Sequence, residues 1–157
     1  MTDANTGVGK ELAQILYSKN SKVYVGARSK SKADDEISSI KKATPNSSGN
    51  LAFLSLDLAD LTTIKASASD FLSKEKKLHV LFNNAGVMNP AQGSKTAQGY
   101  ELQLGVNNIG TFMLTKLLTP ILVATAKTEA PAPSASFGSP LLPPIVSAQL
   151  EAFPSTI

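Results

Sequence analysis

The sequence predicts an α/β fold in which parallel strands form an open sheet covered by helices. Strand-like and helix-like hydrophobic patterns alternate along the first 127 residues, and the chain has no internal repeat. Such alternation is typical of βαβ units, whose strands pair in parallel. In addition, a length of 157 residues with 42% hydrophobic and 17% charged residues suits one domain with a core of its own.

Three short segments have the composition of buried strands. Residues 22–27 contain the run Val23-Tyr24-Val25, and residues 51–56 and 78–82 are apolar over the length of a strand. β-Branched and aromatic residues favour this conformation, and the short length distinguishes such runs from helices.

Helices are predicted between and after these strands. Residues 7–19, 31–42 and 62–73 place apolar side chains at helical spacing, and residues 98–126 form a longer helical region. The apolar positions in the first, third and last of these segments are Leu12, Ile15 and Leu16, then Ile64, Ala68, Phe71 and Leu72, and finally Leu102, Val106, Ile109, Met113, Leu117 and Leu118.

Charge and proline content divide the chain after Lys127. All 15 Lys and Arg residues lie between Lys10 and Lys127, whereas six of the nine prolines lie in residues 128–157. Proline fixes φ and removes a backbone donor. We therefore expect residues 1–127 to form the α/β domain and residues 128–157 to be a proline-rich tail that is extended or disordered.

Composition argues against several classes of function. Lysines alternate with acids, and no basic stripe is interleaved with aromatic residues, so we expect no nucleic-acid partner. The apolar stretch Phe112–Ala126 is interrupted by polar residues and Pro120, which argues against a membrane span. One histidine, His79, and no cysteine predict no metal site. The N-terminus has no secretory signal pattern, so we expect a cytoplasmic protein.

A turn of small residues opens the first predicted helix. Asn5 and Thr6 precede Gly7, Val8 and Gly9, and such a turn lets a backbone approach a pyrophosphate at the positive end of a helix. A simple tight turn is the alternative interpretation.

Charged residues follow the first two predicted strands. Arg28 lies where dinucleotide-binding folds contact the adenosine ribose, and an arginine there accepts a 2′-phosphate. Together with Lys30 and Lys32 nearby, Arg28 favours NADP over NAD, although solvated charges in a loop are the alternative. Asp57 follows the second strand and can accept a hydrogen bond from adenine, while an N-cap role for Asp57 or Asp60 competes with this.

The motif Asn83-Asn84-Ala85-Gly86 directly follows the third predicted strand. Together with the glycine turn, Asp57-Leu58 and the asparagine of Leu104–Gly110, it resembles the short-chain dehydrogenase/reductase family. The sequence of Tyr100–Asn107 is similar to that of the retinol-dehydrogenase-like and fungal NADP-dependent branch of this family. The resemblance covers residues 2–127 and implies a Rossmann fold.

The resemblance also implies a role for each motif residue, with NADP across the carboxyl ends of the strands. The pyrophosphate would meet Asn5, Thr6, Gly7, Val8 and Gly9. The 2′-phosphate would meet Arg28 and Lys32, the adenine Asp57 and Leu58, and the ribose Asn84, Ala85 and Gly86. Asn107 would hold a water in the proton relay of the family.

The sequence departs from the family in its chemistry. Family members need a serine and a tyrosine whose pKa is lowered by a lysine four residues later. Here Tyr17, Tyr24 and Tyr100 are followed at that distance by Ser21, Arg28 and Leu104. Codons can be chosen for the tail from residue 128 so that a shifted reading frame encodes a sequence similar to the family's strand with the catalytic serine. We therefore hypothesise a frameshift shortly after Lys127.

The first residues depart from the family as well. Members have a strand before the glycine turn, and only Met1 precedes Thr2 here, so we expect an incomplete Rossmann fold without its first strand and without the catalytic C-terminal half. Each buried large apolar side chain contributes about 1.5 to 3 kcal/mol to the free energy of unfolding. Losing the buried side chains of a whole strand therefore puts independent folding of the domain in question. In addition, Asp3 replaces the family's first glycine, and its charge opposes a pyrophosphate.

Two functions follow from these observations. The first is an NADP-dependent oxidoreductase that moves hydride between NADPH and a carbonyl or alcohol of a small lipophilic molecule, with this chain itself inactive. The second is a non-catalytic interaction protein that forms a homo- or hetero-oligomer through residues 98–126. NADPH binding distinguishes them, since the second function needs none.

Overall fold

A computed structural model describes residues 1–3, 7–128 and 134–137, the last of these by backbone alone. In chain order the elements are α1 (Gly7–Ser18), β1 (Lys22–Ala27), α2 (Lys30–Ala43), β2 (Asn50–Ser55), α3 (Leu61–Lys74), β3 (Val80–Asn83), a π-helix (Leu104–Gly110), α4 (Thr111–Thr128) and β4 (Ser134–Phe137). The predicted α/β fold is confirmed, since every strand pair is parallel.

The strands form two pairs with the first residues of the chain between them. β1 pairs with β2, and β3 pairs with β4. Thr2 forms a parallel bridge with Gly26 of β1, and its amide donates to the carbonyl of Phe82 in β3 at 3.0 Å. Met1–Asp3, which we call the joint, therefore connect the two pairs. They lie where the resemblance places the strand that precedes the glycine turn, between β1 and β3.

Two groups of buried side chains cover the strands. One group lies around β1, β2, α1 and α2 and consists of Ala13, Tyr17, Val23, Val25, Ala27, Ala33, Ile37, Ile40 and Leu51. The other lies around α3 and α4 and consists of Leu54, Leu56, Leu58, Ile64, Ala68, Phe71, Leu81, Val106, Leu114, Leu118, Ile121 and Leu122.

Polar caps fix the starts of α2 and α3 within a residue of the predicted bounds. The Ser29 hydroxyl accepts from the amide of Lys32, and Asp60 accepts from the amide of Thr62 at 2.9 Å. The Gln98 side chain and the Thr62 amide hold the pKa of Asp60 below its ordinary value. Asp60 is thus the N-cap, as one of the two interpretations of this region predicts.

The prediction of a helix from residue 98 is wrong at its start. Gly99 has a φ of +84°, a conformation that a helix does not accept. The helix begins at Leu102, because the Glu101 carboxylate accepts from the amides of Gln103 and Leu104, both at 2.8 Å. These amide bonds hold the pKa of Glu101 below its ordinary value.

The π-helix changes which face of the following helix is buried. Of the predicted positions in α4, Leu118 is buried, whereas Met113 and Leu117 are only partly buried and pack against the same core. Leu114, which the prediction left out, is buried. A π-turn spaces hydrogen bonds at five residues rather than four, so each such turn rotates the later side chains relative to an α-helical pattern. An α-helical period read through the π-helix therefore misses Leu114, although it includes Leu118.

Two other predicted apolar positions also lie outside the core. Ile15 of α1 is 57% exposed, because the row Gly9, Ala13 and Tyr17 faces the sheet instead. Leu72 of α3 is also exposed, while the other predicted positions of that helix are buried.

The π-helix and α4 form a continuous helical segment, Leu104–Thr128, with a mean hydropathy of 1.6 over its most apolar window. By length and composition it would be long enough to cross a membrane, and core helices of soluble proteins pass the same test. Leu114, Leu118 and Leu122 of this segment pack into the α3 and α4 core. The predicted absence of a membrane span stays a prediction.

One part of the predicted tail lies in a strand. Ser134–Phe137 pair with Val80–Asn83 in parallel. Residues 129–133 and 138–157 lie outside the described residues, so the predicted character of the tail stays a prediction.

Candidate functional site

A cleft of about 400 Å³ opens at the carboxyl ends of β1 and β2, beside the loop that follows β3. It is the place where a parallel α/β sheet binds ligands, because loops from neighbouring strands diverge there. Its walls come from the joint, the β1–α2 corner, the segment after β2, the loop after β3 and the π-helix region: Thr2, Asp3, Gly26–Ser29, Lys32, Leu56–Ala59, Ala85–Val87, Leu102 and Val106.

The β1–α2 corner carries the positive charge of the cleft. Arg28 and Lys32 line it, and both are exposed at its rim. Lys30 between them forms an ion pair with Asp34 at 2.5 Å, one turn further along α2. Within the described residues, neither Arg28 nor Lys32 forms an ion pair. These two cations are therefore available to an anionic ligand, whereas Lys30 is engaged by its own helix.

The segment after β2 forms the opposite wall. One carboxylate oxygen of Asp57 accepts from the amide of Ala59 at 2.9 Å, which turns the chain toward α3. Leu58 is buried in the core and lines the cleft at the same time. Asp57 is not a helix cap; its carboxylate supports the local turn, and the residue lines the cleft. Its predicted contact with adenine stays a prediction.

The loop after β3 is tied to the joint. The amide of Ala85 donates to the Thr2 hydroxyl at 2.8 Å, and the Asn84 side chain donates to the carbonyl of Asp3 at 3.2 Å. These bonds place Ala85 and Gly86 in the cleft wall. Asn84 itself does not line the cleft, and its side chain instead ties the loop to Asp3 of the joint.

Asn107 holds the far end of this loop. Its Oδ1 accepts from the amide of Val87 at 2.8 Å, and its Nδ2 donates to the carbonyl of Val87 at 2.9 Å. Both polar atoms of the side chain are thus committed to one residue of the loop. The π-helix presents Asn107 to the loop, and Gly110 at its end allows close packing, since a Cβ there would lie 2.4 Å from the carbonyl oxygen of Leu58.

The glycine turn is only partly described. Asn5 and Thr6 lie outside the described residues. Gly7, Val8 and Gly9 begin α1, Gly7 with a φ of +52°, and Val8 is 76% exposed. None of these three lines the cleft as the structure describes it. Their predicted contact with a pyrophosphate stays a prediction.

Asp3 shows why a glycine suits its position. It has a φ of +50° in the left-handed region, which glycine adopts freely and aspartate tolerates better than most residues. Asp3 therefore keeps the backbone conformation that suits a glycine, and its side chain adds a carboxylate to the cleft wall.

The sequence did not indicate several residues of the cleft. Thr2 carries no sequence signal for the cleft, although the bond between its hydroxyl and the Ala85 amide joins two walls. Ser29 could have been found from its N-cap position before a run of helix-forming residues. Val87 and Val106 carry no pattern of their own, because only the Asn107 bonds and the path of the π-helix bring them to the cleft.

The tyrosines do not form a reactive pair. Tyr24 donates to Glu75 at 2.6 Å, and burial together with this carboxylate raises the pKa of Tyr24 to about 12. A catalytic phenol needs the opposite shift. The described residues contain no group of three His, Cys, Asp or Glu side chains that could hold a metal ion.

Comparisons with known proteins agree with this geometry. A family model described as short chain dehydrogenase matches residues 1–130. The chain is 62% identical over 129 residues to a short-chain dehydrogenase/reductase of Phomopsis amygdali, covering 82% of this chain and 39% of that protein. It is 46% identical over 126 residues to human retinol dehydrogenase 12, covering 80% of this chain and 39% of that protein. The chain thus spans about two fifths of these relatives.

Solved structures show the same fold. The Pseudomonas aeruginosa RhlG/NADP active-site complex matches with a TM-score of 0.68 and 26% identity, over 83% of this chain and 50% of that one. A metagenomic short-chain oxidoreductase in complex with NADP matches with a TM-score of 0.66 and 25% identity, over 80% of this chain and 56% of that one.

Proposed function

The chain belongs to the short-chain dehydrogenase family, and from this premise we propose that it forms the NADP-binding part of an oxidoreductase. The observation that carries the proposal is the meeting of three predicted motifs in one cleft. Arg28 and Lys32 lie at its rim, Asp57 and Leu58 in one wall, and Ala85 and Gly86 in another.

The charge pattern favours a cofactor with a 2′-phosphate. A phosphate dianion near Arg28 and Lys32 would gain charge-assisted hydrogen bonds from two cations that have no acid partner within the described residues. The RhlG structure contains NADP, which agrees with this preference. A cleft of about 400 Å³ is also within the usual range of small-molecule sites.

Each part of the cofactor has an assigned set of residues in this proposal. Arg28 and Lys32 hold the 2′-phosphate, Asp57 and Leu58 the adenine, Asn84, Ala85 and Gly86 the ribose, and Asn5, Thr6, Gly7, Val8 and Gly9 the pyrophosphate. Asp3 weakens pyrophosphate binding, because its carboxylate adds a like charge to the wall. Asn107 fixes the ribose-binding loop through Val87 and stands where the family has its relay asparagine.

When bound, NADPH supplies the hydride for reduction of a carbonyl, and a small lipophilic molecule is the substrate class that the relatives suggest. This sequence has no Tyr-x-x-x-Lys, and Tyr24 is held neutral by its surroundings rather than activated. We therefore propose that the 157-residue chain binds NADP without reducing a carbonyl by itself.

Calorimetric titration of the chain tests this function. NADPH is expected to bind more tightly than NADH, and Arg28→Ala to weaken NADPH binding by about tenfold, since a hydrogen bond to a charged group contributes roughly 1.5 to 3 kcal/mol before solvent screening. NADH binding should hardly change in this variant. Lys30→Ala is the matched control, because Lys30 lies in the same corner but pairs with Asp34.

Equal affinity for NADPH and NADH, or an equal loss in the two variants, would contradict the assignment of the 2′-phosphate site. Carbonyl reduction by the purified chain with NADPH would contradict the proposed inactivity.

A second candidate function is a non-catalytic partner of an intact relative. The observation that favours it is the apolar outer surface of the π-helix and α4, where Leu104 is 49% and Phe112 66% exposed. Such side chains suit a homo- or hetero-oligomer through the helices of residues 98–126. A chain that binds an intact relative but no NADPH in the titration would favour this function over the first.

A further inference from the structure

The end of the molecule opposite the cleft is formed by the amino ends of the strands. In a parallel α/β sheet the helices run antiparallel to the strands, so the helix C-termini lie at this end as well. Hydrogen bonds join neighbouring connections there. The amide of Ser48 donates to Oδ1 of Asn20 at 2.9 Å, and the amide of Leu78 donates to the Thr125 hydroxyl at 3.0 Å. The ends of α1 and α2, and those of α3 and α4, therefore lie side by side.

Lysines are concentrated on this surface. They lie in the last turns of helices, in the connections that follow them, or at the first residue of β1. Eight of the 15 basic residues of the chain belong to this group, which we call the lysine edge, and all eight side chains are exposed: Lys19, Lys22, Lys41, Lys42, Lys74, Lys76, Lys77 and Lys127. Two acids of the described residues lie among them, Asp70 paired with Lys74 and Glu75 paired with Lys22. The lysine edge is therefore strongly positive.

The charges at the cleft end of the sheet are mixed. Arg28 and Lys32 share that end with Asp3, Asp57 and Asp60. Lysines and acids alternate along the sequence, but the α/β topology collects the connections rich in lysine on one side of the molecule. The two ends of the sheet thus differ in charge, although the sequence shows no basic run.

Lysines at helix C-termini also stabilise the helices themselves. The macrodipole places about half a negative charge at each C-terminus, so four helix ends offset about two positive charges. Half of the lysine edge lies in last turns, namely Lys41, Lys42, Lys74 and Lys127. The other four lysines lie outside the helices. Most of the positive charge therefore has no explanation in helix stability.

The chemistry of the lysine edge favours an anionic lipid surface. Lysines are compact charges on flexible stems, which can follow mobile headgroups, whereas the planar fork of arginine suits fixed pairs. Sites for single-stranded nucleic acid add aromatic side chains that stack on bases, and protein interfaces centre on aromatic or arginine anchors. The lysine edge contains no arginine, and the aromatic residues that the structure describes near it are not exposed: Tyr17 and Phe71 are buried and Tyr24 is half-buried.

We propose that the lysine edge binds membranes that contain anionic phospholipids, reversibly and without insertion of the chain. Clusters of about four to eight basic residues recognise such lipids, and each lysine near the surface increases partitioning about fivefold. Because the cleft lies at the opposite end of the sheet, the bound protein presents the cleft to water. This inference does not depend on the cofactor.

The first test is sedimentation of the full 157-residue chain with vesicles. The probe is phosphatidylcholine with about 30% phosphatidylserine in about 0.1 M salt, and vesicles of phosphatidylcholine alone are the control. We expect the chain to bind the anionic vesicles and not the neutral ones. Raising the salt to about 0.5 M should weaken binding at least about tenfold, since salt screens exposed charges.

Matched double variants identify the surface that binds. Lys41→Gln with Lys42→Gln removes two charges from the lysine edge and should weaken binding about twentyfold. Lys65→Gln with Lys116→Gln removes two exposed charges from α3 and α4 outside the lysine edge and should weaken it by less than about threefold. The two variants have the same net charge, so only the position of the charges differs. Circular dichroism compares their folding, and the vesicle and salt series need no variant.

A single cysteine reports the orientation of the bound protein, because the chain contains no cysteine of its own. An environment-sensitive fluorophore at Ser48→Cys, in the connection before β2, should change its emission when vesicles bind. The same label at Gln92→Cys, in the loop that follows β3 at the cleft end, should not. Both native side chains are exposed, so neither label disturbs the core.

Several outcomes would overturn the proposal. The chain could fail to bind anionic vesicles, or could bind neutral ones equally well. The two double variants could lose affinity equally, which is also the result expected of an unfolded chain. The label at position 92 could respond as strongly as that at position 48. Tighter binding to duplex DNA than to the vesicles at the same salt would make nucleic acid the partner, and displacement by equimolar polyglutamate would make it an acidic protein.

Discussion

A second opening of about 500 Å³ lies between the facing edges of β1 and β3, and we call it the slot. The cleft and the slot lie on opposite sides of the same three residues, Met1–Asp3, but they are built differently. The cleft is formed by loop residues that directly follow strands, such as Arg28 after β1 and Asp57 after β2. The slot is formed by strand edges and helix faces from α1 to α4, which are far apart in the sequence.

This difference explains what each opening can bind. Loop residues at strand ends offer charges and free backbone groups at the surface, which suits an anionic cofactor. Strand edges beneath helices offer apolar walls, which do not suit a charged cofactor. The joint separates the two, so changes on one side should leave the other side intact, and each of the following predictions acts on one side.

Gly110→Ala should have the largest effect and should act on the cleft. Its Cβ would lie 2.4 Å from the Leu58 carbonyl oxygen, a backbone atom that cannot rotate away. We expect a loss of about 3 kcal/mol in the free energy of unfolding, at the upper end for an overpacked site, and loss of NADPH binding. Urea unfolding and calorimetry measure both. Unchanged NADPH binding and stability in this variant would contradict the close contact between Gly110 and Leu58.

Gly105→Ala provides the control for this change. Its Cβ would lie 2.1 Å from the Thr96 methyl group, which is a side-chain end. Adding Thr96→Ser should therefore restore stability at Gly105, and no such second change should rescue Gly110→Ala. Equal behaviour of the two glycines would refute the role given to the Leu58 carbonyl.

Asn107→Leu should have the next largest effect, again on the cleft. It removes both bonds to Val87 while keeping the side-chain size, and about 2 kcal/mol should be lost for two hydrogen bonds of roughly 1 kcal/mol each. NADPH affinity should fall while exchange at the Val87 amide rises. Asn108→Leu, at the exposed neighbouring position, is the matched control and should change neither. Unchanged exchange at Val87 would contradict the positioning role of Asn107.

A pH dependence from Met1 should have the smallest effect and should report on the slot. Its pKa falls from 8.0 in the unfolded chain to about 6 in the fold. The unfolded chain binds more protons between these values, so stability should rise from pH 6 to pH 8 and level off above. Because solvent reaches the half-buried Met1, we expect the free energy of unfolding to rise by only about 1 kcal/mol over this pH range. Thermal unfolding measures it, and N-terminal acetylation should flatten the profile. A slope that survives acetylation has another origin.

Most of the fold was predictable because its signals are local. Strand and helix bounds through β3 follow from apolar spacing, and Ser29 and Asp60 cap the helices where the sequence suggests a start. The grouping of Arg28, Lys32, Asp57 and Gly86 in one cleft follows from the rule that parallel strands end at the same edge.

What the sequence could not predict depends on contacts between distant segments. The π-helix has no pattern of its own, so the apolar spacing predicts Met113 and not Leu114 for the buried face of α4, while Leu118 is predicted correctly. Similarly, nothing in the sequence distinguishes Ile15, which is exposed, from Tyr17, which is buried, since only the sheet beneath α1 selects the face.

The joint also constrains how the chain can fold. Thr2 meets Ala85 across a separation of 83 residues. Closing a loop of that length costs about 4 kcal/mol in chain entropy, whereas a single hydrogen bond contributes only about 1 kcal/mol to stability. The joint is therefore a poor nucleus, and its bonds become favourable only after β1 and β3 have been brought together by their own helices.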